Sequence, residues 1–207
     1  TKNINIVNSN YVTLLTDDGT GSNNKYKWNL LDIDKFRNLT TFIHIQSGHT
    51  DSGSITNLTK LTYLYWAGNN TGSGSITNLI NLTFLYWLGS NTGSGSINLL
   101  TKLQYYSATS SGNTIIPPTN LTNHINLSYF IANTSWVLTS TQVNQYLADF
   151  WLNRNQPKQR TERTIDLRAN TSSQAPTGQG LIDKEALAAY RSPTPPGTAA
   201  FWTVLTR

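Results

Sequence analysis

The sequence predicts an α/β solenoid with a parallel sheet along one side. Two observations carry this: a 21-residue unit written several times in succession, and an apolar spacing inside each unit that changes from three to two. GSITNLTKLTYLYWAGNNTGS, from Gly53 to Ser73, is followed directly by GSITNLINLTFLYWLGSNTGS, from Gly74 to Ser94. A third copy, GSINLLTKLQYYSATSSGN, opens at Gly95. The anchors recur in step as Ile55, Ile76, Ile97; Leu58, Leu79, Leu100; Leu61, Leu82, Leu103; Leu64, Leu85, Tyr106; and Trp66, Trp87, Ala108. Ile33, Phe36, Leu39, Phe42 and His44 fit the template one unit earlier. Leu121, His124, Leu127, Phe130 and Ala132 fit it one unit later, after a connector through Pro117 and Pro118. Apolar residues three apart describe a turn-like path, and residues two apart a strand. A single such unit cannot bury its apolar edge, whereas stacked units form a continuous core. The expectation is five repeats of about 21–24 residues over 31–138, flanked by 1–30 and 139–207.

The flanks read differently. NYVTLLTDDGTGSNNKYKWNL contains two alternating runs around a Gly, Asp and Asn-rich turn and predicts a β-hairpin cap over the first repeat. After Trp136, STQVNQYLADFWLN predicts a helix capped by Ser140 or Thr141, with Val143, Tyr146, Leu147, Phe150 and Trp151 on one side. TIDLRAN then reads as a strand, LIDKEALAAYR as a helix capped by Asp183, and FWTVLTR as a last strand. Together they predict a C-terminal α/β cap, which a solenoid needs.

The composition narrows the chemistry. The chain has 207 residues, 12% of them charged, and about a quarter are Asn or Thr. With no Cys and no Met, disulfide scaffolds, thiolate metal sites and cysteine nucleophiles are excluded. No apolar run approaches the length of a membrane span, and TKNINIVNSN carries neither a signal-type apolar region nor an initiator Met. A soluble, processed or fragmentary chain without membrane insertion is therefore expected. The net charge is +5, yet no charged residue lies between Lys60 and Lys102 or between Lys102 and Asp149. The later cations Arg154, Lys158, Arg160, Arg163 and Arg168 are interrupted by Glu162 and Asp166. They read as a solvated connector, and no nucleic-acid partner is expected.

The pattern LxxLxxLxLxxN in these units resembles the leucine-rich repeat, and LTKLTYLYWAGNNTGSGSI resembles its longer form that closes on Gly-x-Ile. The resemblance covers 31–138. It departs from the family at the Asn ladder, where Asn69 fits but Ser47, Ser90, Ser111 and Ser135 take the other places. The C-terminal pattern resembles the ends of repeat proteins found on bacterial surfaces and in phage particles. An extracellular, cell-surface or virion location is what this resemblance implies.

Alternation in the strand segments gives the candidate site. If Leu64 and Trp66 point inward, Tyr63 and Tyr65 point outward, as do Phe84 and Tyr86, Tyr105 and Ser107, Tyr129 and Ile131, and Thr41 and Ile43. At about 4.8 Å between strands, Tyr63, Phe84, Tyr105 and Tyr129 form a ladder roughly 15 Å long, with Tyr65 and Tyr86 beside it. An apolar face of that extent suits a binding surface, and the competing explanation is cross-strand stabilisation alone. His44 and His124 fall at core positions and His49 in a loop, so no metal site is expected. The Gly-rich NTGSGS segments lack the Lys and helix start of a phosphate loop and read as convex turns. Sequons at Asn57, Asn81, Asn126 and Asn170 are ordinary in so Asn- and Thr-rich a chain. No nucleophile elbow or metalloprotease helix occurs, paired carboxylates are confined to the flanks, and neither enzymatic activity nor a cofactor is expected. The functional expectation is a recognition or adhesion module binding glycan or protein on a cell surface through the aromatic face. The alternative is a structural decoration subunit docking to neighbouring virion or filament subunits. Thr rows at Thr56, Thr77 and at Thr71, Thr92 raise ice binding as a remote third, broken by the fourth and fifth units.

Overall fold

A computed structural model describes residues 12–17, 30–45, 53–67, 73–89, 92–109, 114–155, 163–170, 172–190 and 202–207. Over these described residues the chain is wound as a parallel β-solenoid with two α-helices and a short 3-10 helix. Its main sheet has eight strands, all parallel: β1 (Leu14–Asp17), β2 (Thr41–His44), β3 (Tyr63–Trp66), β5 (Phe84–Trp87), β7 (Tyr105–Ala108), β9 (Tyr129–Ile131), β10 (Thr164–Asp166) and β11 (Thr203–Leu205). A second parallel sheet joins β4 (Ser73–Ser75), β6 (Thr92–Ser96) and β8 (Thr114–Ile116). Three full circuits carry a strand of each sheet, β3 to β4, β5 to β6 and β7 to β8.

The three-residue spacing builds successive tight turns. Leu58 N–H donates to Ile55 O and Leu61 N–H to Leu58 O, at 3.0 and 2.9 Å. The same pair of bonds recurs from Ile76 through Leu79 to Leu82 and from Ile97 through Leu100 to Leu103. The middle anchor of each unit therefore ends one turn and starts the next, and the three anchors are spaced to face the same side. Those anchors are fully buried, as are Leu64, Trp66, Leu85, Trp87 and Tyr106 on the inner face of the sheet. Burying a Leu is worth roughly 1.5–3 kcal/mol, so the stack of identical columns is the main source of cohesion. Ile33, Leu39, Phe42, His44, Leu121, His124, Leu127, Phe130 and Ala132 occupy the corresponding buried places before and after, while Phe36 is only half-buried.

Where the chain enters β2, β3, β5 and β9, a hydroxyl reaches back one circuit. Thr40 Oγ1 donates to Thr13 O, Thr62 to Thr40 O, Thr83 to Thr62 O and Ser128 to Gln104 O, at 2.9 to 3.2 Å. The sparse cations of this region are tied in the same direction, Lys60 Nζ to Asn38 Oδ1 and Lys102 Nζ to Asn81 Oδ1. Of the positions assigned to an Asn ladder, Ser135 bonds to Asn133 Oδ1 through both its N–H and its Oγ. Ser47, Asn69, Ser90 and Ser111 lie outside the described residues.

The NTGSGS segments are not simple turns. Their Ser, Gly and Thr residues form β4 and β6, because neighbouring circuits approach so closely that a ladder forms there. Gly74 and Gly95 have φ of 131° and 98°. A Cβ on Gly95 would stand 2.5 Å from Thr77 Oγ1 and 2.6 Å from Ser75 Oγ; one on Gly74 would stand 2.9 Å from Ile55 N. Only glycine meets both demands. A chain of hydroxyls fastens this corner: Ser54 Oγ to Thr56 Oγ1, Thr56 Oγ1 accepting Ser75 N–H, Ser75 Oγ to Thr77 Oγ1, and Thr77 Oγ1 accepting Ser96 N–H.

Of the segment expected to form an N-terminal hairpin, only part falls among the described residues. β1 joins the main sheet in parallel with β2, and the second arm of the expected hairpin lies outside the described residues, apart from the 3-10 helix Leu30–Lys35. In the C-terminal region, α1 (Ser140–Leu152) starts from Thr139, not from Ser140 or Thr141. Thr139 Oγ1 accepts Gln142 N–H while Gln142 Oε1 accepts Thr139 N–H, a reciprocal cap that Gln three residues on makes possible. α2 (Gln179–Ala189) begins earlier than expected, with Gly178 at its N-cap; Asp183 is instead buried in the helix, accepting from Gln179 Nε2. Val143, Tyr146, Leu147 and Phe150 are buried, and Trp151 is half-buried beneath Arg154. Buried Asp149 joins α1 to the preceding circuit by accepting from Leu121 N–H at 2.7 Å and Thr122 Oγ1 at 2.8 Å.

Candidate functional site

The alternating burial of β2, β3 and β9, from which β5 and β7 depart only at Phe84 and Ser107, puts one side chain in two on the outer side of the main sheet, and strict parallel register puts equivalent residues side by side. One column runs Thr41, Tyr63, Phe84, Tyr105, Tyr129, Thr164, Thr203; the next runs Ile43, Tyr65, Tyr86, Ser107, Ile131, Asp166, Leu205. All six aromatic candidates therefore share one surface. The sequence did not extend it past Ile131, although TID and TVL carry the alternation that could have done so; the register of strands after the helix was not legible from spacing.

Within the columns the rings stack face to face. Tyr63 to Phe84, Phe84 to Tyr105 and Tyr105 to Tyr129 have centroids 4.2, 4.4 and 4.1 Å apart and planes within 18°. Tyr65 and Tyr86 lie 4.4 Å apart at 22°. The rings stand on edge on the sheet, so their faces are used against each other, and the tyrosines remain half-buried. Phe84, enclosed between Tyr63 and Tyr105, is only 8% exposed. Ser107, expected on the open face, is 2% exposed, in register between Tyr86 and Ile131. The outer surface is thus made chiefly by Tyr63, Tyr65, Tyr86, Tyr105 and Tyr129.

Polar atoms do converge on this face. Burial first, then the charge of and a hydrogen bond with the Tyr65 hydroxyl, then Tyr129, hold the Tyr86 phenol above its usual 10.0. Its hydroxyl stays protonated at neutral pH and remains a donor. At the β10 end, the Asp166 carboxylate takes Arg168 Nε at 3.0 Å, Nη2 at 2.8 Å and the Arg168 N–H at 3.1 Å. Burial raises the Asp166 carboxyl, but these bonds outweigh it and hold the group below its ordinary value. Arg207 in turn donates to Arg168 O.

The other candidates take structural places. His44 stacks on Phe42 in the core, at 6.1 Å between centroids. His124 is buried with Nε2 2.9 Å from Ile97 O, and desolvation lowers its pKa against the opposing pull of that bond and of Asp149. His49 lies outside the described residues. Among the described residues no group of His, Asp and Glu is placed to hold a metal ion, and no helix is long and apolar enough to cross a membrane. In the basic stretch, Arg154 lies 3.7 Å over the Trp151 ring and donates to Trp151 O, and buried Arg163 lies 5.7 Å over Trp202. Lys158, Arg160 and Glu162 are outside the described residues. No family model, curated protein or solved structure matches the chain.

Proposed function

We propose that the chain is a non-enzymatic recognition module of leucine-rich-repeat type, displayed on a bacterial surface or phage particle, that docks another protein through the outer face of its main sheet. On this reading 1–30 and 139–207 close the two ends of the repeat array. The observation that carries the proposal is the double column of edge-on aromatics capped by phenolic hydroxyls. Tyrosines held by their neighbours lose little further rotamer freedom on binding, and each presents both apolar area and a hydrogen-bonding group.

The stacking also separates protein from glycan. A sugar stacks on a ring face, and here the inner faces are spent on neighbouring rings, leaving only the outer sides of the end rings. A flat protein surface or extended peptide, which contacts edges and hydroxyls, fits better. The described arginines of the basic stretch are engaged with Trp151, Trp202 or Asp166, and the aromatic columns carry no formal charge up to Asp166. Binding should therefore be nearly independent of ionic strength, unlike phosphate-backbone binding. The test is selection of a displayed random-peptide library, beside a glycan array, on the immobilised domain. Enriched peptides should lose about 1–3 kcal/mol of affinity on Tyr86→Ala or Tyr105→Ala and change little with salt. Glycan binding that survives both substitutions, or peptide binding abolished by salt alone, would overturn the proposal. A domain that selects no peptide but co-assembles with neighbouring particle subunits through the same tyrosines would instead be a decoration subunit.

A further inference from the structure

The same columns juxtapose phenols in a way that recognition does not require. Tyr105 and Tyr129 face each other at 4.1 Å with planes 5° apart, and Tyr65 and Tyr86 at 4.4 Å and 22°. Each pair bridges adjacent strands, β7 to β9 and β3 to β5. In the first column Phe84 stands between Tyr63 and Tyr105, so Tyr63 stacks on a ring with no phenol. Tyr106 and Tyr146, by contrast, are fully buried in the core. Partly exposed phenols in fixed face-to-face contact are therefore confined, among the described residues, to these two pairs.

We propose that this face is a site of intramolecular dityrosine formation, linking Tyr105 to Tyr129 and Tyr65 to Tyr86 under a haem peroxidase with hydrogen peroxide as oxidant. Each phenol gives up one electron and one proton. The two ring radicals join through a carbon–carbon bond between the positions ortho to their hydroxyls, and rearomatisation moves the two ortho protons so that both hydroxyls are restored. The balance is two tyrosines plus one hydrogen peroxide giving one dityrosine and two waters. Parallel register makes the coupling a reaction between neighbours that need no search, and the product staples one circuit of the solenoid to the next. The inference is independent of what docks on the face.

The test treats dilute protein with peroxidase and hydrogen peroxide, with and without denaturing urea, and reads intact mass, dityrosine fluorescence and fragmentation of tryptic peptides. No Lys or Arg lies between Lys102 and Arg154 or between Lys60 and Lys102, so each link falls inside one peptide. The expected product is native monomer lighter by two hydrogens per link, with peptide 103–154 giving no backbone fragments between Tyr105 and Tyr129. Tyr129→Phe should remove that link and keep the one between Tyr65 and Tyr86; Phe84→Tyr should add phenol contacts to both Tyr63 and Tyr105 and raise the yield. Only intermolecular dimers, or the same pattern of links in urea as in buffer, would overturn the proposal. The wild-type comparison in urea decides it without any variant.

Discussion

The two sheets of this solenoid are wound by the same chain at the same rise, yet they solve close stacking in opposite ways. On the main sheet the strands are spaced so that aromatic rings fill the distance between circuits, and Tyr63, Phe84, Tyr105 and Tyr129 form a continuous stack. On the second sheet the corner leaves no room for a side chain at two positions, where Gly74 and Gly95 stand against Ile55 and Thr77, and small hydroxyls tie the circuits together. Repetition alone therefore does not mark a functional surface. What distinguishes the aromatic face is that its repeated groups are large, partly exposed rings stacked on one another, whereas the Ser and Thr groups of the other corner are small and bond chiefly to one another.

The largest expected effect lies in the core common to both sheets. Leu82→Ala, in the central circuit at a fully buried anchor, should cost about 2–5 kcal/mol in urea unfolding. A loss below about half a kcal/mol would mean that the anchor columns do not hold the circuits together. Next comes the tight corner. Gly95→Ala meets both a positive φ and two hydroxyl oxygens and should cost about 1–3 kcal/mol by the same measurement. A neutral result would place the circuits farther apart there than the ladder requires.

A smaller effect should come from the circuit at which an anchor Leu gives way to His124. Its folded pKa is lowered from the ordinary 6.5, chiefly by desolvation, so the unfolded chain takes up the proton first. The stability that His124 contributes is full above about pH 6.5 and is lost as pH falls below it toward the lower folded value. His124→Gln should flatten unfolding free energy across that window. An unchanged slope in the variant would assign the acid sensitivity to another group.

Much of this was legible in the sequence because the repeat writes its own register. Once Leu61, Leu82 and Leu103 are aligned, the inward Trp66 and Trp87 and the outward Tyr63 and Phe84 follow, and the strand pairing agrees residue by residue. Three things were not legible. NTGSGS carries turn residues, and only the closeness of neighbouring circuits turns them into strands. The burial of Phe84 follows from its stacking between Tyr63 and Tyr105, and Ser107 is buried in register between Tyr86 and Ile131, neither of which alternation encodes. The clamp made by Asp149 depends on where α1 lands against Leu121 and Thr122, a long-range contact with no local signature.

The contrast between the faces is tested most directly by measuring stability and binding of selected peptides on the same two variants, Tyr86→Ala and Thr77→Val. The account predicts that Thr77→Val loses about 1 kcal/mol of stability through its hydroxyl bonds and keeps its peptide affinity. Tyr86→Ala should lose about 0.2–1 kcal/mol of stability from its cross-strand contacts while its affinity falls by about 1–3 kcal/mol. Equal affinity in the two variants, or a loss confined to Thr77→Val, would contradict the assignment of recognition to the aromatic face.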